Sequence, residues 1–169
     1  MNNWYKRIPM IVKLIIWDFD GVLAPTTDDW AAHGYPLTAG VREILAMSNL
    51  RHCIATNGTL EQTLEKIALS GLGDVFSENN IFTIDMAGVG KSSPDIFLLA
   101  VQKMGAKPEN SIAIDNSYTA MKGIIKAGCL PISFLSSERY EHSEWPQRLK
   151  NIGVEHIFCK MSDIQKLID

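Results

Sequence analysis

The sequence predicts an α/β fold, a doubly wound three-layer sandwich around a mainly parallel sheet. Two observations carry this: short apolar runs alternate regularly with amphipathic stretches, and capping and stop residues bracket the amphipathic ones. Strands joined through helices pair in parallel by right-handed crossovers, which puts helices on both faces of the sheet. A third observation is size. At 169 residues, with 46% hydrophobic and 21% charged, the chain suits one hydrophobic core spanning 1–169.

Each element has its own reason. Val12 to Trp17 is a β-rich run broken only by Lys13, and a helix is expected from about Gly40 to Leu50. His52 to Thr56 is the second strand. Thr59 with Gln62 resembles a capping box, and Leu60, Leu64, Ile67 and Ala68 recur at helical spacing until Gly71. Ile81 to Ile84 is the third strand. Ser93 reads as an N-cap with Pro94 in the first turn, followed by a stripe of Phe97, Ala100, Val101 and Met104 that stops at Gly105. After the strand Ser111 to Asp115, Ser117 opens a helix with Met121, Ile124 and Ile125 inward and Gly128 as its stop. Leu130 to Leu135 and His156 to Cys159 complete the strands.

Composition narrows the function classes. The charge sum of 16 Lys and Arg against 19 Asp and Glu, net −3, lacks the basic excess that sequence-independent nucleic-acid binding needs. Cys53, Cys129 and Cys159 are an odd number without CxxC spacing, which predicts buried thiols in a reducing cytoplasm rather than disulfides or a zinc knuckle. The apolar stretch near the N-terminus is interrupted by Lys13 and runs into acids, so neither a signal peptide nor a membrane span is expected.

In a doubly wound sheet ligands sit outside the carboxyl ends of the strands, so polar residues there are the candidates. The first end reads Trp17-Asp18-Phe19-Asp20-Gly21, two carboxylates that share a side and can converge on one cation or reacting group. Turn or capping aspartates are the ordinary alternative. The second end, Thr56-Asn57-Gly58, places a hydroxyl, an amide and a flexible backbone before a helix, an anion-receptive arrangement or an Asn-Gly turn. Lys91 stands in a polar loop before the helix that follows Pro94. Asp115-Asn116 ends the fourth strand, where helix capping is the plain reading.

Taken together, DxD, Thr, Lys and acid in this order resemble the haloacid dehalogenase superfamily of aspartate-nucleophile phosphatases and phosphotransferases, from about Val12 to the C-terminus. Lys91-Ser92-Ser93-Pro94-Asp95-Ile96-Phe97 is similar to that family's lysine motif, with Ser92 where a proline is usual. Ala127-Gly128-Cys129-Leu130-Pro131-Ile132 is similar to the segment after its acidic motif. Both point to the subgroup of phosphoglycolate phosphatase-like and β-phosphoglucomutase-like enzymes. The resemblance implies a Mg²⁺-dependent phosphatase in which Asp18 attacks phosphorus and Asp20 alternates as acid and base. It further implies that Thr56, with Asn57, holds a phosphate oxygen and that Lys91 neutralises the developing charge. Aspartate at position 20 favours phosphate over carbon–halogen chemistry. The metal would lie among Asp18, Asp20, Asp115 and Asn116, and Asn116 is the departure: it aligns with a ligand that is acidic in relatives. That substitution keeps a second class open, a degenerate member that binds a phosphorylated ligand or protein partner without turnover.

Relatives usually choose substrates with an inserted cap domain. The intervals from Asp20 to Thr56 and from Thr56 to Lys91 are filled by core elements, so a short flap over 24–38 is expected in place of a cap. Trp30, His33 and Tyr35 in it would contact a substrate or pack on the domain. A polar stretch from Ser136 to Trp145, with Arg139 and His142, is expected near the rim or as a solvated loop. Without a cap, three answers stand for the phosphorylated substrate: a bulky one, a homo-oligomer whose neighbouring subunit is the lid, or slow and broad turnover.

Overall fold

The computed structural model describes residues 11–26 and 35–169. Six strands form one sheet: β1 (Leu14–Trp17), β2 (Arg51–Thr56), β3 (Ile81–Thr83), β4 (Ser111–Asp115), β5 (Leu130–Phe134) and β6 (His156–Phe158). Their order is β3-β2-β1-β4-β5-β6, and every pairing is parallel. The order reverses beside β1, the doubly wound, Rossmann-like pattern that opens a crevice at the carboxyl ends of β1 and β4.

Alternation along each strand divides the apolar residues between two faces. Ile15, Trp17, Ile54, Ile112 and Ile114 point into one core with α1 (Val41–Leu45), α2 (Leu60–Ser70) and the last helix, Met161–Ile168. Leu14, Ile16, Cys53, Ala55 and Ala113 point into the other. The short α3 (Ile84–Ala87) follows β3. On the second face lie α4 (Asp95–Lys103), α5 (Tyr118–Ala127) and, beyond α6 (Ser137–Glu141), α7 (Trp145–Lys150); the last helix is then α8. No cap domain stands between these elements among the described residues, and no helix there is long and apolar enough to cross a membrane.

Local signals worked where they were self-contained. The Thr59–Gln62 capping box forms in both directions, and Ser117 Oγ accepts from the Ala120 amide. Other expectations change. The helix predicted over Gly40–Leu50 is only Val41–Leu45, since Ser48 and Asn49 favour turn backbone. Pro94, not Ser93, takes the N-cap of α4, and Ser93 Oγ bonds the Asp95 carboxylate instead. Ile125 faces outward at 38% exposure, because α5 buries the line of Met121 and Ile124. The stretch after β5 contains α6, which buries no residue of its own and so carries no periodic apolar signal. The C-terminal helix α8 was not expected, although its Met161, Ile164 and Leu167 are buried at helical spacing.

The cysteines are free, with Cys53 and Cys129 buried and Cys159 half-buried. Burial raises the thiols of Cys53 and Cys129, the latter to about 12, which keeps them unreactive. His52 is a buried residue of β2 with Trp17 Nε1 donating to its Nδ1 at 3.2 Å, and burial pushes its pKa down to about 4.

Candidate active site

Register decides which groups meet. Trp17 is level with Ile114 across the β1–β4 pair, so Asp18 emerges beside Asp115, and the Asp18 amide donates to Ile114 O at 2.9 Å. Two carboxylates side by side repel unless a cation joins them. Lys91 does so: its Nζ donates to Asp18 Oδ1 at 2.6 Å and to Asp115 Oδ2 at 2.8 Å. Lys91 and Asp115 are buried, at 5% and 3% side-chain exposure, and Asp18 is partly buried at 13%. Burial works to lower the Lys91 pKa, but the Asp115 and Asp18 carboxylates more than offset it and hold the ammonium charged. Burial and the Asp115 charge push Asp18 up to about 7, against the pull of Lys91.

The loop that delivers Lys91 comes close to α5. A Cβ on Gly123 would stand 2.1 Å from Lys91 O and 2.7 Å from Ser93 O, so only glycine lets the loop backbone settle on the helix. That contact sets how deep the lysine reaches. From the other side, the Asn57 side-chain oxygen accepts from the Lys91 amide at 3.4 Å. Thr56 ends β2, next to β1, and is buried. Its Oγ1 accepts from the Gly58 amide at 3.1 Å, which leaves the hydroxyl proton free to donate to an anion.

Asp20 sits in a more open setting. Gly21, at φ +82°, turns the chain back so that its amide bonds Ala24 O at 2.7 Å. The Asp20 carboxylate is held by Lys66 Nζ at 2.6 and 2.8 Å, with side-chain exposures of 23% for the lysine and 42% for the aspartate. The same ammonium lies 5.7 Å from the Phe19 ring centre and 5.8 Å from that of Tyr35. Sequence reasoning missed Lys66. Nothing around it marks a site, since a lysine on an amphipathic helix is usually solvated; it meets Asp20 only because β2 and α2 pack beside β1.

Asn116 faces the same turn. Its Nδ2 donates to the Asp20 carbonyl at 3.1 Å, and a Cβ on Gly21 would stand 2.0 Å from that nitrogen. Asp115 has partners on both oxygens, Lys91 on Oδ2 and the Ser117 amide on Oδ1 at 2.8 Å, so it anchors the lysine and the start of α5 rather than standing open to a cation. The oxygens left for a hard cation are a carboxylate oxygen of Asp18, the Asp20 carbonyl and the Asn116 amide oxygen. These fit Mg²⁺ in kind, provided the Asn116 amide turns its oxygen toward the carbonyl it now hydrogen-bonds. Only one of the three is a charged side chain, and no cluster of three or more His, Cys, Asp or Glu side chains suited to a metal occurs among the described residues.

Of the 24–38 segment, residues 27–34, with Trp30 and His33, lie outside the described residues. Tyr35 is buried and meets Phe19 edge-on, ring centres 5.6 Å apart. Thr38 N bonds Leu23 O at 2.9 Å, closing the base of the segment. Arg139 stacks on Trp145 at 4.3 Å, and His142 is exposed.

Comparisons with known proteins agree with the fold. A family model described as a hydrolase, haloacid dehalogenase-like hydrolase, matches residues 28–128. No curated protein matches the chain. Among solved structures, a conserved haloacid dehalogenase-like protein of Agrobacterium tumefaciens is similar at 20% identity and TM-score 0.78, covering 93% of this chain and 97% of that one. A HAD family hydrolase of Deinococcus radiodurans, with bound phosphate and sodium, is 17% identical with TM-score 0.75, covering 90% and 93%. A putative β-phosphoglucomutase of Bacteroides vulgatus is 17% identical with TM-score 0.71, covering 96% and 88%. At these identities the likeness is one of fold.

Proposed function

The chain belongs to the haloacid dehalogenase-like hydrolases, and from that premise we propose that it hydrolyses a phosphate monoester in two steps through an aspartyl-phosphate on Asp18. The observation that carries the reading is the Lys91 ammonium bridging Asp18 and Asp115 at 2.6 and 2.8 Å in a buried site. That cation keeps a nucleophilic carboxylate available where burial and a second acid disfavour its ionised form.

In the first step an Asp18 oxygen bonds to phosphorus as the bond to the ester oxygen breaks, and Asp20 gives its proton to the departing oxygen. In the second, Asp20 takes a proton from water, which attacks phosphorus, releases inorganic phosphate and restores Asp18. An acid that serves both steps contributes roughly 10²–10⁴ in rate. Thr56 donates its hydroxyl proton, and Lys91 its charge, to phosphoryl oxygens that do not leave. Mg²⁺ held by Asp18, the Asp20 carbonyl and Asn116 would reduce the repulsion between the two anions. Phosphate bound in the Deinococcus radiodurans hydrolase supports the substrate class.

Hydrolysis of p-nitrophenyl phosphate with Mg²⁺ is the test. The protein releases nitrophenol, and Asp18→Asn does not; equal rates in the two would remove Asp18 as nucleophile.

A further inference from the structure

Two buried side-chain atoms that can hydrogen-bond have no partner among the described residues, His52 Nε2 and Ser133 Oγ. Such atoms are rare in folded proteins, because burying one unpaired forfeits the bonds it made to water. His52 is the second residue of β2, away from the strand's carboxyl end. Ser133 is placed differently. It is fully buried in β5, and the register of the β4–β5 pair sets it directly opposite Asp115.

Sheet geometry names its polar neighbour. Register partners in adjacent strands share a face of the sheet and lie about 4.8 Å apart. On one side of Ser133 stands Ile157 of β6, on the other Asp115, and Leu135, two residues along β5, joins the same apolar core as Ile157. A serine hydroxyl moves between staggered positions of one side-chain torsion, and the position turned toward β4 offers its proton to the Asp115 carboxylate. Asp115 has room for it. An ionised carboxylate accepts about four bonds, and the printed partners are Lys91 on Oδ2 and the Ser117 amide on Oδ1. The Lys91 charge is shared between Asp115 and Asp18. A phosphoryl group at Asp18 brings competing oxygens, so the share of that charge left to Asp115 falls while Lys91 keeps its place. A buried acid with less compensation gains more from a further donor.

We propose that Ser133 is a positioning residue, which donates its hydroxyl proton to Asp115 once a phosphoryl group engages Lys91 and so keeps Asp115 and the lysine in line. The inference rests on the hydrolase reading above. The hydroxyl then costs stability at rest and contributes during turnover, the opposite of what a packing serine does.

Removing the hydroxyl separates the two effects. In Ser133→Ala the urea midpoint of unfolding stays level or rises, whereas kcat for p-nitrophenyl phosphate with Mg²⁺ falls at least about tenfold, as for loss of a bond to a charged group, and KM stays within about twofold. Ser133→Thr, with its fold checked by circular dichroism, keeps the hydroxyl and recovers most of the rate. Beryllium trifluoride with Mg²⁺, a mimic of the phosphoryl group on a carboxylate, binds about tenfold more weakly by calorimetry to Ser133→Ala than to the wild type, and Ser133→Thr does not share that loss. A kcat for Ser133→Ala equal to that of the wild type, or a lowered urea midpoint, overturns the proposal and leaves the hydrolase reading standing. A wild type that neither turns over p-nitrophenyl phosphate nor binds beryllium trifluoride removes the hydrolase reading, and the proposal with it.

Discussion

Two lysines hold the two aspartates that follow β1, and they do so in opposite ways. Lys91 is buried between Asp18 and Asp115 and reaches them from a loop pinned on Gly123. Lys66 holds Asp20 from a helix surface, with both partners partly in water and two aromatic rings as its rest. The first pairing is permanent architecture, because breaking it strands charges in a low dielectric. The second is exchangeable, because an exposed ion pair is weakly held. This matches the division of work proposed for the two acids: a nucleophile must stay ionised and fixed, whereas a proton donor must give up its counter-ion each time it becomes neutral.

The largest effect should come from breaking the buried pairing. Lys91→Met leaves Asp18 and Asp115 facing each other without a cation, so turnover falls by at least about 100-fold and unfolding by denaturant shows a loss of about 3 kcal/mol. Adding Asp115→Asn recovers part of the stability and not the activity. A Lys91→Met protein as stable as the parent would show that the two lysines do not differ as claimed.

The next effect concerns Asn116, which ties the Asp20 turn to β4. Asn116→Asp replaces a donor to the Asp20 carbonyl with a charged ligand, so Mg²⁺ measured by calorimetry binds about tenfold more tightly than in the parent, since ligand charge tunes such affinities. Unchanged affinity would mean that the metal does not meet this residue. The smallest effect is at Lys66. Lys66→Met changes kcat by no more than about tenfold, as expected for an exposed pair, and Lys66→Arg restores it. A loss as large as that of Lys91→Met would put Lys66 among the groups that touch the phosphate.

How much of this was readable beforehand varies by element. The strands were legible because their apolar runs are bounded by polar ends, and α2 and α5 because Thr59 and Ser117 cap them locally. Asp18, Asp20, Thr56, Lys91 and Asp115 were legible as a series, each at a strand end or before a helix. The helix α6 and the length of α1 were not, since neither has a buried stripe of more than one turn. Lys66 was invisible for a different reason: its role exists only across 46 residues of chain.

The sequence by itself determined the alternation of strands and helices, the polar residues at the carboxyl ends and the substitution at Asn116, because these depend on local periodicity and on residue chemistry. Only the tertiary structure decided that Asp115 serves Lys91, that the Asn116 amide takes the Asp20 carbonyl, and that Lys66 belongs beside Asp20. Those outcomes depend on which strands lie next to each other and how closely helices approach them, and such distances are set by packing of the whole sheet.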